Sequence, residues 1–140
     1  MLEAFRLPRG LRLALLWASM MFLYVYNDYI VMFTPGHIDM MSAGRIGPLG
    51  EATDLVLFGV AVLMAIPSLM VFLSAGAPAR LSKWLNVFFG TAYGLVNLAT
   101  FFGSPPFYQF IVALELVLSV SIVASALTWP KAPQQARDEQ

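Results

Sequence analysis

Residues 55–73 read LVLFGVAVLMAIPSLMVFL and contain no charged side chain. This length is close to the roughly 20 apolar residues that an α-helix needs to cross the hydrocarbon core of a bilayer. The stretch holds one proline, Pro67, whose missing N–H frees a backbone carbonyl that neighbouring helices must then satisfy. We therefore interpret residues 55–73 as a transmembrane helix with a kink at Pro67.

Three further apolar stretches of similar length lie at about 13–33, 81–102 and 107–129. Hydrophobic residues make up 59% of the 140 residues and charged residues 11%, whereas soluble domains have roughly 45–50% and about 25%. Short connections make neighbouring helices antiparallel. The sequence therefore predicts an all-α fold, a transmembrane four-helix up-down-up-down bundle over residues 13–129.

The composition and the motifs argue against several function classes. The formal net charge of +0 provides no basic surface for nucleic acid. With 0 cysteines and one histidine, His37, we expect no thiol chemistry, no metal site and no cofactor. The spans hold no Ser–His–Asp arrangement, and the chain has no HExxH motif and no glycine-rich phosphate loop. We therefore expect that the protein is not an enzyme.

The basic residues predict the orientation of the chain in the membrane. Only Arg45 lies in the first predicted loop, and the third loop has no basic residue. The other seven lie at the two ends or in the second loop: Arg6, Arg9, Arg12, Arg80, Lys83, Lys131 and Arg137. By the positive-inside rule, both termini lie in the cytoplasm and the first and third loops lie outside. We expect a multi-pass protein of the cell inner membrane, with a basic N-terminus over 1–12 and a disordered tail over 130–140.

The first external loop, residues 34–53, is long for a connection between two packed helices. Its apolar stretch Ile38–Met41 can lie on the membrane surface as a short helical turn. A plain surface loop is the alternative, and the sequence does not decide between the two.

Two carboxylic acids, Asp28 and Glu115, lie within the predicted spans. A carboxylate near the middle of the bilayer costs roughly 2.5–3.5 kcal/mol on insertion scales, so it normally faces the interior of the bundle. No lysine or arginine lies at the depth of either acid. Hydrogen bonds, protonation or a bound cation must therefore neutralise them.

Depths and helical spacing place several polar side chains near these two acids. At 1.5 Å per residue, Glu115, Tyr93 and Tyr24 lie roughly 12–14 Å below the outer ends of their spans, and Asp28 and Asn97 about 6–8 Å below. We expect Glu115 to be largely protonated at neutral pH unless a cation occupies the site, and to form a hydrogen bond with a tyrosine or asparagine such as Tyr93 or Asn97. The predicted buried polar site consists of Asp28, Glu115, Tyr93, Asn97, Asn27 and Tyr24. As the alternative, the asparagines hold the bundle together at ~0.6 kcal/mol each, and Tyr24 belongs to an aromatic belt.

Two glycines in the third span, Gly90 and Gly94, form a GxxxG motif that lets another helix approach closely. We expect them to pack against another span of the same chain. Contact with a second copy of the chain is the alternative use of this motif.

The motifs together resemble a bacterial family of small four-span membrane proteins of unknown function, loosely akin to the DoxX-like group. The resemblance covers Leu16–Trp129. It is carried by Asn27-Asp28, Pro35-Gly36, Met41-Ser-Ala-Gly44, Ile66-Pro67 with Met70 and Ser74, Trp84-Leu85-Asn86, Pro106-Phe-Tyr-Gln-Phe110, Glu115 and Trp129. The chain departs from that pattern at the start of the third span, where the basic residues are reduced to Arg80 and Lys83. The resemblance implies a four-helix membrane bundle and no activity.

Two function classes follow from these residues. In the first, the buried polar site lies in the outer half of the bundle and binds or carries a small solute, a cation or a proton. In the second, the protein is a non-catalytic accessory or assembly subunit of a membrane complex, with a redox role only by analogy to the DoxX-like group. The expected partners are the lipid bilayer, the solute, and a second copy or another membrane subunit.

Overall fold

A computed structural model describes residues 7–130 of the chain. The residues Arg6, Lys131 and Arg137, and all of the predicted disordered tail except Pro130, lie outside these described residues. The described part is all-helical apart from a very short hairpin. Its five α-helices are α1 (Arg9–Val31), α2 (His37–Ser42), α3 (Asp54–Gly76), α4 (Ala79–Phe101) and α5 (Pro106–Leu127).

Three of the described helices, α1, α3 and α5, are long and apolar enough to cross a membrane. This finding indicates a membrane protein. Helix α4 has the same length as α1 and α3 but is less apolar than α3 and α5. Its polar residues Asn86 and Asn97 are 0% and 3% exposed, so two of the residues that lower its hydropathy lie inside the protein.

Local sequence signals determine where the long helices begin. The Thr53 hydroxyl accepts a hydrogen bond from the Val56 backbone N–H at 3.3 Å and caps α3. Helices α4 and α5 begin directly after Pro78 and Pro105, where the fixed φ of proline suits the turn into a helix. Helix α1 begins after Pro8, ahead of the apolar stretch that starts at residue 13.

The connection between α1 and α3 is folded. Helix α2 covers the apolar stretch Ile38–Met41, so the helical alternative for this segment is the one observed. Two strands follow, β1 (Arg45–Ile46) and β2 (Gly50–Glu51), which pair antiparallel around a 3₁₀ turn at Gly47–Leu49.

Helix α1 packs against α3 and α5, and α4 packs against the same two helices. The residues buried between them form one core, made up of Leu13, Trp17, Met20, Met70, Tyr93, Ile122 and Ala126. The two glycines of α4 permit a close approach of α5. A Cβ atom at Gly90 would lie 3.0 Å from methyl groups of Ile122 and Val123, and one at Gly94 would lie 3.3 Å from the Ser119 Cβ.

Candidate binding cavity

The interior of the protein holds two groups of polar side chains, at opposite ends of the long helices. The first, which we call the closed cluster, consists of Trp17, Ser74, Ser82 and Asn86, each at most 1% exposed. The Asn86 Oδ1 accepts hydrogen bonds from the Trp17 Nε1–H at 2.7 Å and from the Ser74 hydroxyl at 3.0 Å. The Asn86 Nδ2 donates to the Ser82 carbonyl at 2.8 Å. The Ser82 hydroxyl donates to the Ser74 carbonyl at 2.9 Å, so each polar side chain of the cluster has a partner.

The second group surrounds a cavity of about 170 Å³, at the end of the bundle where α1 ends and α5 begins. We call it the polar cavity. All six residues of the predicted polar site line it, namely Tyr24, Asn27, Asp28, Tyr93, Asn97 and Glu115. Helical spacing on three separate helices therefore converges on one place.

Three buried side-chain atoms in the described part of the chain have no hydrogen-bond partner. They are the Asn27 Oδ1, the Asn97 Nδ2 and the Glu115 Oε1. All three residues line the polar cavity, and they are only 4%, 3% and 2% exposed. Because buried polar atoms in proteins are nearly always satisfied, three unpartnered atoms around one cavity set this region apart from the rest of the described interior.

The two central tyrosines of the cavity are held in place by their hydroxyl groups. The Tyr24 hydroxyl donates to the Asn97 Oδ1 at 3.0 Å. The Tyr93 hydroxyl donates to the Leu63 carbonyl. This carbonyl has no partner within α3, because Pro67, four residues further along the helix, has no N–H to donate. The two rings lie 6.5 Å apart between centroids with a tilt of 35°.

The expectation that Glu115 forms a hydrogen bond with a tyrosine or asparagine such as Tyr93 or Asn97 is wrong. The Tyr93 hydroxyl donates to a backbone carbonyl instead, and the Asn97 Nδ2 and the Glu115 Oε1 both have no hydrogen-bond partner. Helical spacing relates side chains to one another and gives no information about backbone acceptors, whereas Pro67 leaves a free backbone acceptor close to Tyr93.

The expectation that Asp28 is buried is also wrong, because its side chain is exposed at the rim of the cavity. Helix α1 ends at Val31, two residues before the predicted end of the span, so Asp28 lies in the last helical turn. Its neighbour Asn27 is 4% exposed and faces the interior. A turn of about 100° per residue then directs Asp28 away from the interior.

Two further polar residues, Thr100 and Tyr108, line the cavity and were not among the predicted site residues. Helical spacing in the sequence is sufficient to predict that both residues line the cavity. Tyr108 lies seven residues before Glu115 on α5, and Thr100 lies seven residues after Tyr93 on α4, which places each on the same helix face as its partner.

The electrostatic character of the cavity is acidic. Its lining contains two carboxyl groups, Asp28 at the rim and Glu115 inside, and no lysine, arginine or histidine among the described residues. Glu115 therefore has no cationic side chain in the cavity to balance its charge. An ionised carboxylate buried in this way is costly unless a cation compensates it.

Comparison with known proteins places the chain in a known family. Residues 4–136 match a family described as "Family of unknown function (DUF6326)". No curated protein and no solved structure matches the chain. The match agrees with the expected family of unknown function and provides no link to the DoxX-like group.

Proposed function

The chain belongs to this family of unknown function, and we propose from its own geometry that it is a four-span membrane protein whose polar cavity binds a small polar solute. The cavity opens to the outer side of the inner membrane. The accessory or assembly subunit is the competing function.

The contacts of α4 support a fourth span. It is as long as α1 and α3, and it packs against α3 and α5. Only Ala77 and Pro78 separate α3 from α4, and four residues separate α4 from α5. Such short connections favour antiparallel neighbours, and hence an up-down-up-down arrangement of the four helices.

The distribution of basic residues supports the direction in which the cavity opens. Arg9 and Arg12 lie in the first turns of α1, and Arg80 and Lys83 in the first turns of α4. This end of the bundle also holds the closed cluster. The positive-inside rule directs it toward the cytoplasm, so the polar cavity lies in the outer half.

The three unpartnered atoms around one cavity carry the proposal. A buried polar atom without a partner costs about 1–3 kcal/mol. A protein that uses its polar residues only to hold helices together can satisfy them internally, as the closed cluster does. The polar cavity leaves two acceptor atoms and one donor atom for something that enters from outside.

Cysteine accessibility tests this proposal, because the chain has 0 cysteines and every introduced thiol is unique. Met64 lines the cavity, whereas Val62, two residues away on α3, is 43% exposed on the outer surface of the bundle and does not line it. In intact spheroplasts, a membrane-impermeant thiol reagent should label Met64→Cys and leave Val62→Cys unlabelled, since Val62 faces lipid.

Two loop variants give the controls for sidedness. Ser104→Cys should be labelled from outside, and Ala77→Cys should be labelled only after the cells are broken. The opposite pattern for these two variants would reverse the orientation. Protection of Met64→Cys from both sides of the membrane would favour the packed accessory subunit over a solute-binding protein.

A further inference from the structure

We infer that the solute of the polar cavity is a small organic ammonium ion. This inference rests on the proposed function, since it names the chemical class of the ligand that the same cavity binds. It is carried by the charge of the lining, by the tyrosine rings and by the unpartnered atoms.

The charge of the lining selects a cation. A ligand at the rim meets the Asp28 carboxyl group, and a ligand inside meets Glu115. Because no basic side chain of the described residues lines the cavity, an anion would find no opposite charge there, only two acidic side chains. In a site of low dielectric, this difference in sign decides which ligands bind.

The tyrosines favour an organic cation. Tyr24, Tyr93 and Tyr108 all line the cavity, and the first two are fixed by hydrogen bonds to Asn97 and Leu63. Rings of this kind attract ammonium groups, and aromatic cages recognise quaternary ammonium ligands. Fixed rings also lose little conformational freedom when a ligand binds.

The remaining lining argues against a metal ion. The described residues contain no group of three or more histidine, aspartate or glutamate side chains that could hold one. Leu63, Met64 and Val96 add apolar surface that can cover methyl or methylene groups. The unpartnered Asn97 Nδ2 can donate to a hydroxyl oxygen of the ligand, and the Asn27 Oδ1 can accept from an N–H or O–H group.

Binding of the cation exchanges it for a proton. Burial without an opposite charge favours the neutral form of a carboxyl group, and Glu115 has no opposite charge in the cavity. When the ammonium ion enters, Glu115 releases its proton to water and becomes the counter-ion, so one positive charge enters and one leaves. The other titratable groups around it are Asp28 and Tyr24 from α1, Tyr93 from α4 and Tyr108 from α5, and His37 neighbours Asp28. Helix α3 contributes only Leu63 and Met64.

Three probes of similar shape and different charge test this inference on the purified full chain in lipid nanodiscs. They are choline, its uncharged isostere 3,3-dimethylbutan-1-ol, and the anion 3,3-dimethylbutyrate. Calorimetry should show choline bound at least about tenfold more tightly than the alcohol and no binding of the anion. Titrations in buffers of different ionisation enthalpy should show protons released when choline binds, up to one for each choline, as the exchange at Glu115 requires.

Variants locate the effect in the cavity. Glu115→Gln keeps the shape of the neutral acid and should lose both the preference for choline and the proton release. Asp28→Asn, at the exposed rim, should weaken choline binding about threefold to tenfold and provides a second variant that does not disturb the interior. Asp39→Asn removes an exposed carboxyl group of α2 outside the cavity and should leave binding unchanged.

The outcomes separate this inference from the proposed function. If the alcohol binds as tightly as choline, the cavity takes a polar solute but not specifically an ammonium ion. If neither choline nor the smaller methylammonium binds while Met64→Cys is labelled from outside, the ammonium inference is overturned and the open cavity remains. If Met64→Cys is protected, the proposed function itself fails.

Discussion

The closed cluster and the polar cavity are built from the same parts. In each, an aromatic residue of α1 donates to the Oδ1 of an asparagine of α4: Trp17 to Asn86 in the cluster and Tyr24 to Asn97 in the cavity. The two regions differ in whether the amide nitrogen of the asparagine has a hydrogen-bond acceptor. The Asn86 Nδ2 donates to Ser82, whereas the Asn97 Nδ2 has no partner. The same pair of residue types therefore holds helices together at one end and leaves binding capacity at the other.

The position along the helices explains this difference. Ser74 lies in the last turn of α3 and Ser82 in the first turn of α4, at a tight connection that brings the two residues together. A carbonyl in the last turn of a helix has no partner within the helix, so the Ser74 carbonyl is free for the Ser82 hydroxyl. At the other end, Asn97 lies more than a turn before the end of α4, where the backbone groups are already paired.

The largest expected loss in the free energy of unfolding comes from a substitution that breaks the closed cluster. Asn86→Leu removes the acceptor of both Trp17 and Ser74 and leaves their buried donors unpaired. We expect a loss of about 3 kcal/mol in the free energy of unfolding, because each unpaired buried donor costs about 1–3 kcal/mol. Unfolding by a denaturing detergent in mixed micelles measures this loss.

Asn97→Leu is the matched variant in the polar cavity. It removes one hydrogen bond, from Tyr24, together with an amide nitrogen that already has no partner. We expect a loss of about 1 kcal/mol, since single interhelical hydrogen bonds in membranes contribute roughly 0.6 kcal/mol and at most about 1.7. Equal losses for the two asparagines would contradict the distinction between the two regions.

An effect between these two concerns the Leu63 backbone carbonyl of α3, which accepts the hydrogen bond from Tyr93. Tyr93→Phe leaves the Leu63 carbonyl without its donor and should cost about 1–2 kcal/mol. Pro67→Ala restores a backbone N–H that can pair with Leu63 within α3. The double variant should therefore lose less than the sum of the two single variants, and strict additivity in the double-mutant cycle would argue against this role of Tyr93.

The sequence predicts the helices and most of the cavity lining, but it does not predict which side chains pair between helices. Apolar stretches predict α1, α3 and α5 as helices able to cross a membrane, and helical spacing predicts the residues that line the cavity, because both signals act within a single helix. Pairings between helices carry no such signal. The bond from Tyr93 to the Leu63 carbonyl depends on the relative rotation of α3 and α4, and the exposure of Asp28 depends on where α1 ends.

The smallest effect on stability, and the one with the opposite sign, belongs to Glu115. A residue retained for structure destabilises the protein when it is replaced, as we expect for Asn86. Glu115 is 2% exposed and its Oε1 has no partner, so the folded state bears the cost of burying this group. Replacing a buried, unsatisfied polar group by an apolar group of similar shape is often neutral or stabilising. Glu115→Met should therefore leave the free energy of unfolding unchanged or raise it by up to about 1 kcal/mol, and Glu115→Gln should change it by less than about 0.5 kcal/mol.

Both Glu115 variants should lose the preference for choline over its uncharged isostere. This combination of retained stability with altered binding distinguishes a binding residue from a structural one. The measurement is the same mixed-micelle unfolding titration, carried out on Glu115→Met and Asn86→Leu in parallel. If Glu115→Met is destabilised as strongly as Asn86→Leu, the two regions do not differ in kind. Glu115 would then have a structural role in the bundle, and the unpartnered atoms of the cavity would no longer support a binding function.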